Sequence, residues 1–172
     1  MGHEYTAEVL EVGADVQHLR VGQLVCAEGM LSCGVCENCR VGRPNQCPAL
    51  EMVGFSSPGA YAERIVAKER FLWSLDPLAE RLGSTSAALD LAALVEPVGC
   101  AYNGMFVSAG GLAPGSWVAV FGCGPIGLGA IALARAAGAA GIVAFDVVPE
   151  RVALARTLGA DEAYDPREAD PV

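Results

Sequence analysis

The sequence has few charged side chains, and basic residues are scarcer than acidic ones. Only 18% of its 172 residues are charged, and 11 Lys and Arg stand against 20 Asp and Glu, giving a net charge of −9. The average electrostatic field therefore repels polyanions, which argues against nucleic acid or an acidic membrane surface as a partner. Hydrophobic residues make up 53% of the chain. Disordered chains are poor in such residues, so we expect a folded protein.

The sequence also lacks a basic and apolar N-terminal segment of the kind that directs secretion, and it has no internal repeat or low-complexity tract. Its seven cysteines are an odd number and four of them are clustered, unlike the cysteines of a secreted disulfide scaffold. We therefore expect reduced thiols and a cytoplasmic location. Residues 98–134 carry no charge, but glycines and prolines interrupt them. We expect a buried strand, turn and helix there, and no membrane span.

Residues 1–75 are predicted to be rich in β-structure. Apolar and alternating patterns between turn residues predict five strands, over residues 5–12, 23–27, 52–55, 61–67 and 71–75. No such pattern exists in residues 29–50, which are rich in cysteine, glycine, asparagine and proline. A loop of this length inside a compact domain needs something to hold it together.

After Pro77 the composition shifts to alanine, leucine and glycine, which favours helices. We expect a helix over 87–95, capped by Ser84, Thr85 or Ser86 and stopped by Pro97, and a further helix within 98–108. Then follow predicted strands at 117–121, 141–145 and 162–165, separated by helices at 125–137 and 149–158. This βαβαβ order with short loops predicts a parallel sheet, so the fold class is β followed by α/β.

Four cysteines within fifteen residues could form a metal site: Cys33, Cys36, Cys39 and Cys47. Zinc suits four thiolates, because they can surround it tetrahedrally and leave no open position. Such a metal would replace the missing hydrophobic core of residues 29–50. There are three alternatives: an iron–sulfur cluster, four cysteines that bind no metal, and a zinc ribbon that binds nucleic acid. The iron–sulfur spacing differs at the last gap, and Arg40 and Arg43 alone offer little charge for nucleic acid.

A glycine-rich turn follows the strand predicted at 117–121. In the pattern Gly-x-Gly-x-x-Gly, Gly122 permits the tight turn, Gly124 lets the backbone approach a pyrophosphate, and Gly127 allows close packing of helix and strand. The start of the following helix presents free N–H groups to the phosphates. A turn that binds no phosphate is the alternative.

Asp146 ends the next predicted strand, nineteen residues after Gly127. A carboxylate at this place accepts hydrogen bonds from the ribose hydroxyls and repels a 2′-phosphate, so the sequence favours NAD over NADP. Arg151 lies five residues further on and could cover the adenine ribose, which weakens that preference slightly. The alternative is a surface aspartate without a ligand.

Other polar residues offer weaker signals. His3 and Glu4 lie near the start of the printed sequence, where a histidine is commonly a frayed surface residue. Glu96 lies in an apolar stretch, where a carboxylate needs a partner, although it could simply end a helix. We interpret His18, in a polar turn, as solvated.

Together these motifs resemble the medium-chain, zinc-dependent alcohol and polyol dehydrogenase family, and they follow that family's order along nearly the whole chain. The matching segments are Gly2-His3-Glu4, the four cysteines, Leu94-Val95-Glu96-Pro97, Gly122-Cys-Gly-Pro-Ile-Gly127, Asp146 and Leu158-Gly-Ala-Asp161. The pair Glu96-Pro97 is similar to the sorbitol, threonine and cyclitol branch. Residues 26–33 and 94–103 look most like scyllo-inosose dehydrogenases.

The resemblance implies a GroES-like catalytic domain over residues 1–98, with a structural-zinc lobe at 29–50. Residues 99–172 would be the first βαβαβ half of a Rossmann domain that binds NAD. It implies that His3, Glu4 and Glu96 hold or adjoin a catalytic zinc, and that the four clustered cysteines hold a structural zinc. The residues implied to contact the cofactor are Cys100, Gly122, Gly124, Pro125, Ile126, Gly127, Asp146 and Arg151.

The implied activity is oxidation of a secondary alcohol of a polyol or cyclitol to a ketone, with hydride transfer to NAD. The substrate would be a small-molecule alcohol or ketone, with no nucleic acid or membrane as a partner, and the protein would form a homo-oligomer. Family members are about twice this length, and they carry a cysteine zinc ligand and a proton-relay Ser or Thr before the Gly-His-Glu motif. The sequence therefore also allows an inactive, zinc-stabilised module that binds NAD or a partner.

Overall fold

Short antiparallel strands organise the first of two units into which the chain divides. The computed structural model describes residues 1–168; its first unit covers residues 1–96 and the second begins at residue 97. In the first unit β1 (Thr6–Glu8), β2 (Leu24–Ala27) and β5 (Leu72–Ser74) form a sheet in the order β1-β2-β5, with Cys26 opposite both Thr6 and Trp73. The central strand β2 is the most buried of the three.

A two-stranded ribbon closes the base of the cysteine-rich loop, which we call the cysteine lobe (residues 29–50). Strands β3 (Met30–Leu31) and β4 (Glu51–Met52) pair antiparallel, with Met30 opposite Met52. Between them lie only a single-turn helix α1 (Glu37–Arg40) and a 3₁₀ turn at Pro44–Gln46. The lobe therefore has almost no regular backbone structure of its own.

Helices complete the first unit. A 3₁₀ turn covers Glu69–Phe71, α2 runs from Asp76–Leu82 and α3 from Thr85–Ala92. The predicted capping of α3 is confirmed for Ser84, whose hydroxyl accepts the N–H of Ala87 at 3.2 Å. The core cluster of this unit is small, and consists of Cys26, Leu75 and Ala92 with Leu24, Leu78 and Leu89 packed around them.

Several predicted strands of the first unit are shorter in the structure or do not form. The strands predicted at 5–12, 52–55 and 71–75 shorten to two or three paired residues. Residues 61–67 form no strand. Their alternating pattern is real, but within residues 1–168 no neighbouring strand pairs with them, and a cavity of about 730 Å³ lies between them and the β1 segment. A strand needs a partner to satisfy its backbone groups.

The second unit is a parallel α/β layer. Helix α4 (Val95–Tyr102), whose first two residues belong to the first unit, and a π-helical turn (Asn103–Ser108) precede the strands and helices of the layer. These are β6 (Trp117–Phe121), α5 (Pro125–Ala136), β7 (Gly141–Phe145), α6 (Pro149–Thr157) and β8 (Glu162–Tyr164). The strands are parallel in the order β6-β7-β8, with Trp117 opposite Gly141 and Val143 opposite Glu162. The predicted βαβαβ order is confirmed.

Small residues form the core of the second unit. Six of its eleven buried members are alanines, and Ile131 and Ile142 are fully buried among them. Strand β7 is central and largely buried, because helices and neighbouring strands cover it, which explains its continuous apolar sequence. No helix among residues 1–168 is long and apolar enough to cross a membrane.

The prediction that Pro97 stops a helix is wrong. Helix α3 ends at Ala92, and Pro97 is the third residue of α4. In the first turn of a helix the backbone N–H has no partner four residues back, so proline costs no hydrogen bond there. Glu96 accordingly lies at the start of a helix, and the alternative that it ends one is also wrong.

Candidate metal centres and dinucleotide site

The cysteine lobe brings its four thiols together. The sulfur atoms lie 3.5 Å apart for Cys36 and Cys39, 3.9 Å for Cys36 and Cys47, and 4.0 Å for Cys33 and Cys39. All four lie within 4.8 Å of one another, and none is in a disulfide. A tetrahedral zinc with ~2.3 Å Zn–S bonds needs sulfurs about 3.8 Å apart. The cluster therefore fits a single zinc ion and leaves no space for the iron and sulfide atoms of an iron–sulfur cluster.

Backbone amides prepare Cys33 to carry a negative charge. Its sulfur accepts the N–H groups of Val35 and Cys36 at 3.4 and 3.3 Å, and these bonds lower the pKa of the Cys33 thiol to about 6. The Cys39 amide acts in the same direction on Cys36, but burial and the neighbouring thiols outweigh it and raise the pKa of Cys36 to about 11. Without a cation, one thiolate forms and the next is suppressed, as expected for sulfurs packed this closely.

Arg70 connects the cysteine lobe to the rest of the first unit by hydrogen bonds. Its guanidinium donates to the carbonyl oxygen of Cys33 at 3.1 Å and to that of Ser32, and it lies 4.5 Å from the centre of the Phe71 ring. Glycine suits the turn at Gly34, because its φ of 79° is a backbone conformation that other residues rarely adopt. No sequence signal pointed to this arginine, because it lies 37 residues from the cysteine it contacts and no local spacing connects the two.

Residues 1–3 are ordered by hydrogen bonds, so the alternative of a frayed histidine is wrong. The carbonyl oxygens of Met1 and Gly2 accept the N–H groups of Tyr61 and Ala60, both at 2.9 Å. The ring of Tyr61 packs against Gly2, at a place that a Cβ would occupy. These contacts hold His3, whose imidazole lies 5.4 Å from the Phe55 ring.

The His3 imidazole lies close to two carboxylates, those of Glu4 and Glu96. A ligand atom from each of His3, Glu4 and Glu96 lies within 4.8 Å of the others. Nε2 of His3 lies 4.0 Å from a carboxylate oxygen of Glu96, which the start of α4 positions. One imidazole and two carboxylates are donors that zinc accepts, and three protein ligands leave a fourth position open. His18, by contrast, is exposed.

The glycine turn in the second unit is tightly closed. The Gly122 N–H donates to the carbonyl of Phe145 at 2.8 Å, and Gly122 has φ 91°, which favours glycine. A Cβ on Gly127 would lie 1.9 Å from the Gly122 carbonyl oxygen. Only glycine therefore allows α5 to start this close to the end of β6, as the motif predicts.

Asp146 is buried at the carboxyl end of β7 and contacts the turn directly. Oδ2 accepts the N–H of Cys123 at 2.7 Å, and Oδ1 accepts that of Val148 at 2.9 Å. The amides of Val148 and Cys123 lower the pKa of this carboxyl, so it is ionised at neutral pH. Arg151 lies 3.8 Å from Oδ2. The sequence pattern predicts a ribose contact for Asp146 and gives no sign of its bond to Cys123.

An open cavity of about 570 Å³ lies beside the turn, in the second unit. Its walls include every residue that the resemblance assigned to cofactor binding, namely Cys100, Gly122, Gly124, Pro125, Ile126, Gly127, Asp146 and Arg151. Helix α5 begins in this wall, so the first-turn N–H groups that lack helical partners are available to an anion.

Two family models match the chain. The alcohol dehydrogenase GroES-like domain matches residues 1–77, and the zinc-binding dehydrogenase model matches residues 125–172. The scyllo-inosose 3-dehydrogenase of Thermotoga maritima is 39% identical over 96% of this chain and 43% of its own length. This chain belongs to the zinc-dependent medium-chain dehydrogenase family. Zinc and a nicotinamide dinucleotide are the cofactors of this family, as the two motifs predict.

Other relatives agree with this assignment. An L-threonine 3-dehydrogenase of Caldanaerobacter subterraneus is 37% identical over the whole chain and 46% of its own length. A solved structure from Thermotoga maritima, provisionally described as an alcohol dehydrogenase, has a TM-score of 0.93 and 36% identity, covering 98% of this chain and 44% of that one. The chain thus spans less than half the length of the curated relatives it matches.

Structural neighbours have been solved with both forms of the nicotinamide cofactor. An Escherichia coli alcohol dehydrogenase (TM-score 0.80, 27% identity, 95% of this chain and 46% of that one) is complexed with NADH. A Sinorhizobium meliloti structure, provisionally described as a zinc-binding dehydrogenase (TM-score 0.82, 31% identity, 98% and 46%), is bound to NADP. The same fold therefore accommodates either form of the nicotinamide cofactor.

Proposed function

We propose that this chain carries the zinc and dinucleotide sites of an NAD-linked oxidoreductase that oxidises a secondary alcohol of a polyol or cyclitol to a ketone. The observation that carries the proposal is the grouping of His3, Glu4 and Glu96, three ligand types suited to an open zinc site. In this proposal residues 1–98 are the catalytic domain, and residues 99–172 are the first half of the dinucleotide-binding domain.

Residues that are far apart in the sequence would hold the catalytic zinc. His3 would supply a ring nitrogen, and Glu4 and Glu96 would supply carboxylate oxygens. When bound, zinc supplies a Lewis acid that favours the alkoxide form of a substrate hydroxyl. The two carboxylates add negative charge, which offsets that of the cation. Phe55, against the His3 ring, limits the orientations of that ring.

Four sulfurs would hold a second, structural zinc. The lobe contributes Cys33, Cys36, Cys39 and Cys47, and their spacing leaves no fifth position for a substrate. This zinc replaces a hydrophobic core and takes no part in the reaction. Seven reduced cysteines and a zinc thiolate centre favour a reducing compartment, and we propose the cytoplasm.

NAD is the proposed hydride acceptor. The diphosphate would lie at the start of α5, over Gly122, Gly124 and Gly127. Asp146 is ionised and buried, and its charge opposes that of a 2′-phosphate, which favours NAD over NADP. Arg151 lies beside it and would cover the ribose. Cys100, also in the cavity wall, would face the nicotinamide.

The substrate class follows from the chemistry that the relatives share. The names of these relatives refer to a cyclitol ketone and to the 3-position of L-threonine. Oxidation at either position acts on a secondary alcohol and gives a ketone. We therefore propose a small secondary alcohol as the substrate, and we infer no role for nucleic acid or a membrane, because the net charge is −9.

The test is the formation of NADH, followed at 340 nm, with inositols, sorbitol and L-threonine as candidate alcohols. Glu96→Ala and His3→Ala are expected to abolish turnover, because each removes one of three zinc ligands. His18→Ala is the matched control, since the other histidine is exposed, and it should leave the rate unchanged. Equal rates in all three variants would contradict the proposed site. Bound zinc and NADH without turnover would instead support an inactive binding module.

We also propose that the chain self-associates. Strand β6 pairs only with β7 among residues 1–168, so its other edge has no strand beside it. Trp117 and Phe121 on this strand are 71% and 74% exposed. An open edge with exposed aromatic side chains favours pairing between copies. Light scattering should show a dimer or larger species, and Trp117→Lys should reduce it; a monomer at high concentration would contradict the proposal.

A further inference from the structure

Two aspartates near opposite ends of β7 make similar bonds, although the Asp146 side chain is buried and that of Asp161 is half exposed. Oδ2 of Asp146 accepts the Cys123 amide at 2.7 Å, and Oδ2 of Asp161 accepts the Ile142 amide at 2.8 Å. Each also faces an arginine, at 3.8 Å for Arg151 and 2.7 Å for Arg135. Only the first pair lies beside the glycine turn and the cavity, so the second is a control that the chain itself provides.

We propose that Asp146 is a positioning residue for the phosphate-binding turn, in addition to any contact with the ribose. Cys123 is the residue between the first two glycines, and it is fully buried. Its N–H points back to the carboxylate, and the preceding N–H of Gly122 points back to the carbonyl of Phe145. Two consecutive amides are thus fixed to the end of β7, which sets the path of the chain into α5.

The carboxylate connects two segments that would contact different parts of one ligand. It bonds Cys123 in the turn after β6 and Val148 in the turn before α6. Loss of both acceptor oxygens would leave the Cys123 amide buried without a partner, which is unfavourable. The turn would then adopt other conformations, and the amides at the start of α5 would lose their common direction.

This inference rests on the proposed dinucleotide site, and it differs from a ribose contact in what it predicts for truncated ligands. A residue that acts only through the ribose hydroxyls affects no ligand that lacks them. A residue that shapes the turn affects any ligand with a diphosphate. ADP and 2′,3′-dideoxy-ADP differ only in these hydroxyls, so they separate the two roles.

The experiment measures the affinity of both nucleotides by calorimetry for the unchanged chain and three variants. Asp146→Ser should weaken binding of dideoxy-ADP by about tenfold, because the serine hydroxyl ends one bond short of the two carboxylate oxygens that accept the turn amides. Asp146→Asn keeps one acceptor and should lose less. Asp161→Asn should leave the affinity unchanged. Equal affinity of Asp146→Ser and the unchanged chain for dideoxy-ADP would overturn the inference.

A second readout needs no ligand. Amide hydrogen exchange of Cys123, relative to that of Val143 in β7, should become at least about tenfold faster in Asp146→Ser, whereas Asp161→Asn should speed only Ile142. An unchanged Cys123 rate would overturn the inference. If the unchanged chain binds neither nucleotide but the Cys123 amide responds, the positioning role is supported and the proposed dinucleotide site fails.

Discussion

The two units reach their folded states by different means. The second has a cluster of eleven buried hydrophobic residues between parallel strands and helices, whereas the first has a cluster of three. The first unit instead contains polar connections over long sequence distances. Arg70 bonds the carbonyl of Cys33, and one carboxylate oxygen of Glu69 accepts the amides of Gln17, His18 and Leu19.

This difference shows what each unit requires to fold. Apolar burial stabilises the second unit, because its repeating strands and helices cover one another. The cysteine lobe of the first unit cannot gain much from burial, since only Cys47 within residues 30–50 is buried. A metal and a few charged hydrogen bonds must supply what burial does not.

Removal of zinc should reveal the largest difference between the two units, because it should affect the first and not the second. A chelator, or Cys47→Ser, should unfold the cysteine lobe, because structural zinc in small domains contributes about 10–16 kcal/mol of apparent binding free energy. Amide exchange should then increase throughout residues 29–50, while the amides of β7 stay protected. Cys100→Ser is the control, since this cysteine lies outside the cluster. A lobe that remains protected without metal would refute the dependence.

A substitution that creates a cavity in the core of the second unit should destabilise that unit and leave the cysteine lobe unchanged. Ile142→Ala removes a fully buried side chain from β7 and should lower the free energy of unfolding by about 2–5 kcal/mol. Denaturant unfolding measures this loss. The zinc content of the lobe should not change, and a parallel loss of zinc would show that the two units do not fold independently.

Arg70→Ala should weaken the connection between the lobe and the first unit without removing a metal ligand. Two hydrogen bonds from a charged donor are lost, so zinc release to a chelator should become about tenfold faster. Arg43→Ala removes a charge from the lobe itself and should have little effect, since both arginines are exposed but it is Arg70 that bonds the carbonyls of Ser32 and Cys33. Similar rates for both variants would attribute the effect to charge alone.

The smallest expected effect concerns acid stability and Glu69. Hydrogen bonds from backbone amides, of which that of His18 has the largest effect, lower the pKa of Glu69 below 4.5. The folded state therefore binds this proton less readily than the unfolded state, so its stabilisation is complete above pH 4.5 and is lost as pH falls through the lowered value. Unfolding midpoints of Glu69→Gln and the unchanged chain should differ at pH 6 and converge as the pH falls through the lowered pKa of Glu69. Glu63→Gln, at an exposed position, should show no such pH dependence.

The sequence predicted the second unit well because its signals are local. Strands β6 and β7 occur at the predicted residues, since each is a continuous apolar run next to glycine. Residues 61–67 have an equally clear alternation but form no strand, because strand formation depends on a partner elsewhere in the chain. The prediction for Pro97 was wrong because the effect of proline depends on its position: it breaks the interior of a helix but is well tolerated in the first turn.

The candidate sites divide in the same way. Spacing alone predicted the cysteine cluster and the glycine turn, whose residues are close in sequence. His3 and Glu96 are 93 residues apart, and only a family resemblance connected them before the structure placed them 4.0 Å apart. Neither route predicted the bond between Cys123 and Asp146, because its donor is a backbone amide and so carries no residue-type signal.

Zinc content is the most direct test of the two metal centres. The unchanged chain should contain two zinc ions, and Cys47→Ser and Glu96→Ala should each retain one, the first at the site of His3 and the second among the sulfurs. Metal analysis of the three purified proteins measures this. An unchanged chain without zinc, or a zinc content that neither substitution alters, would contradict the account.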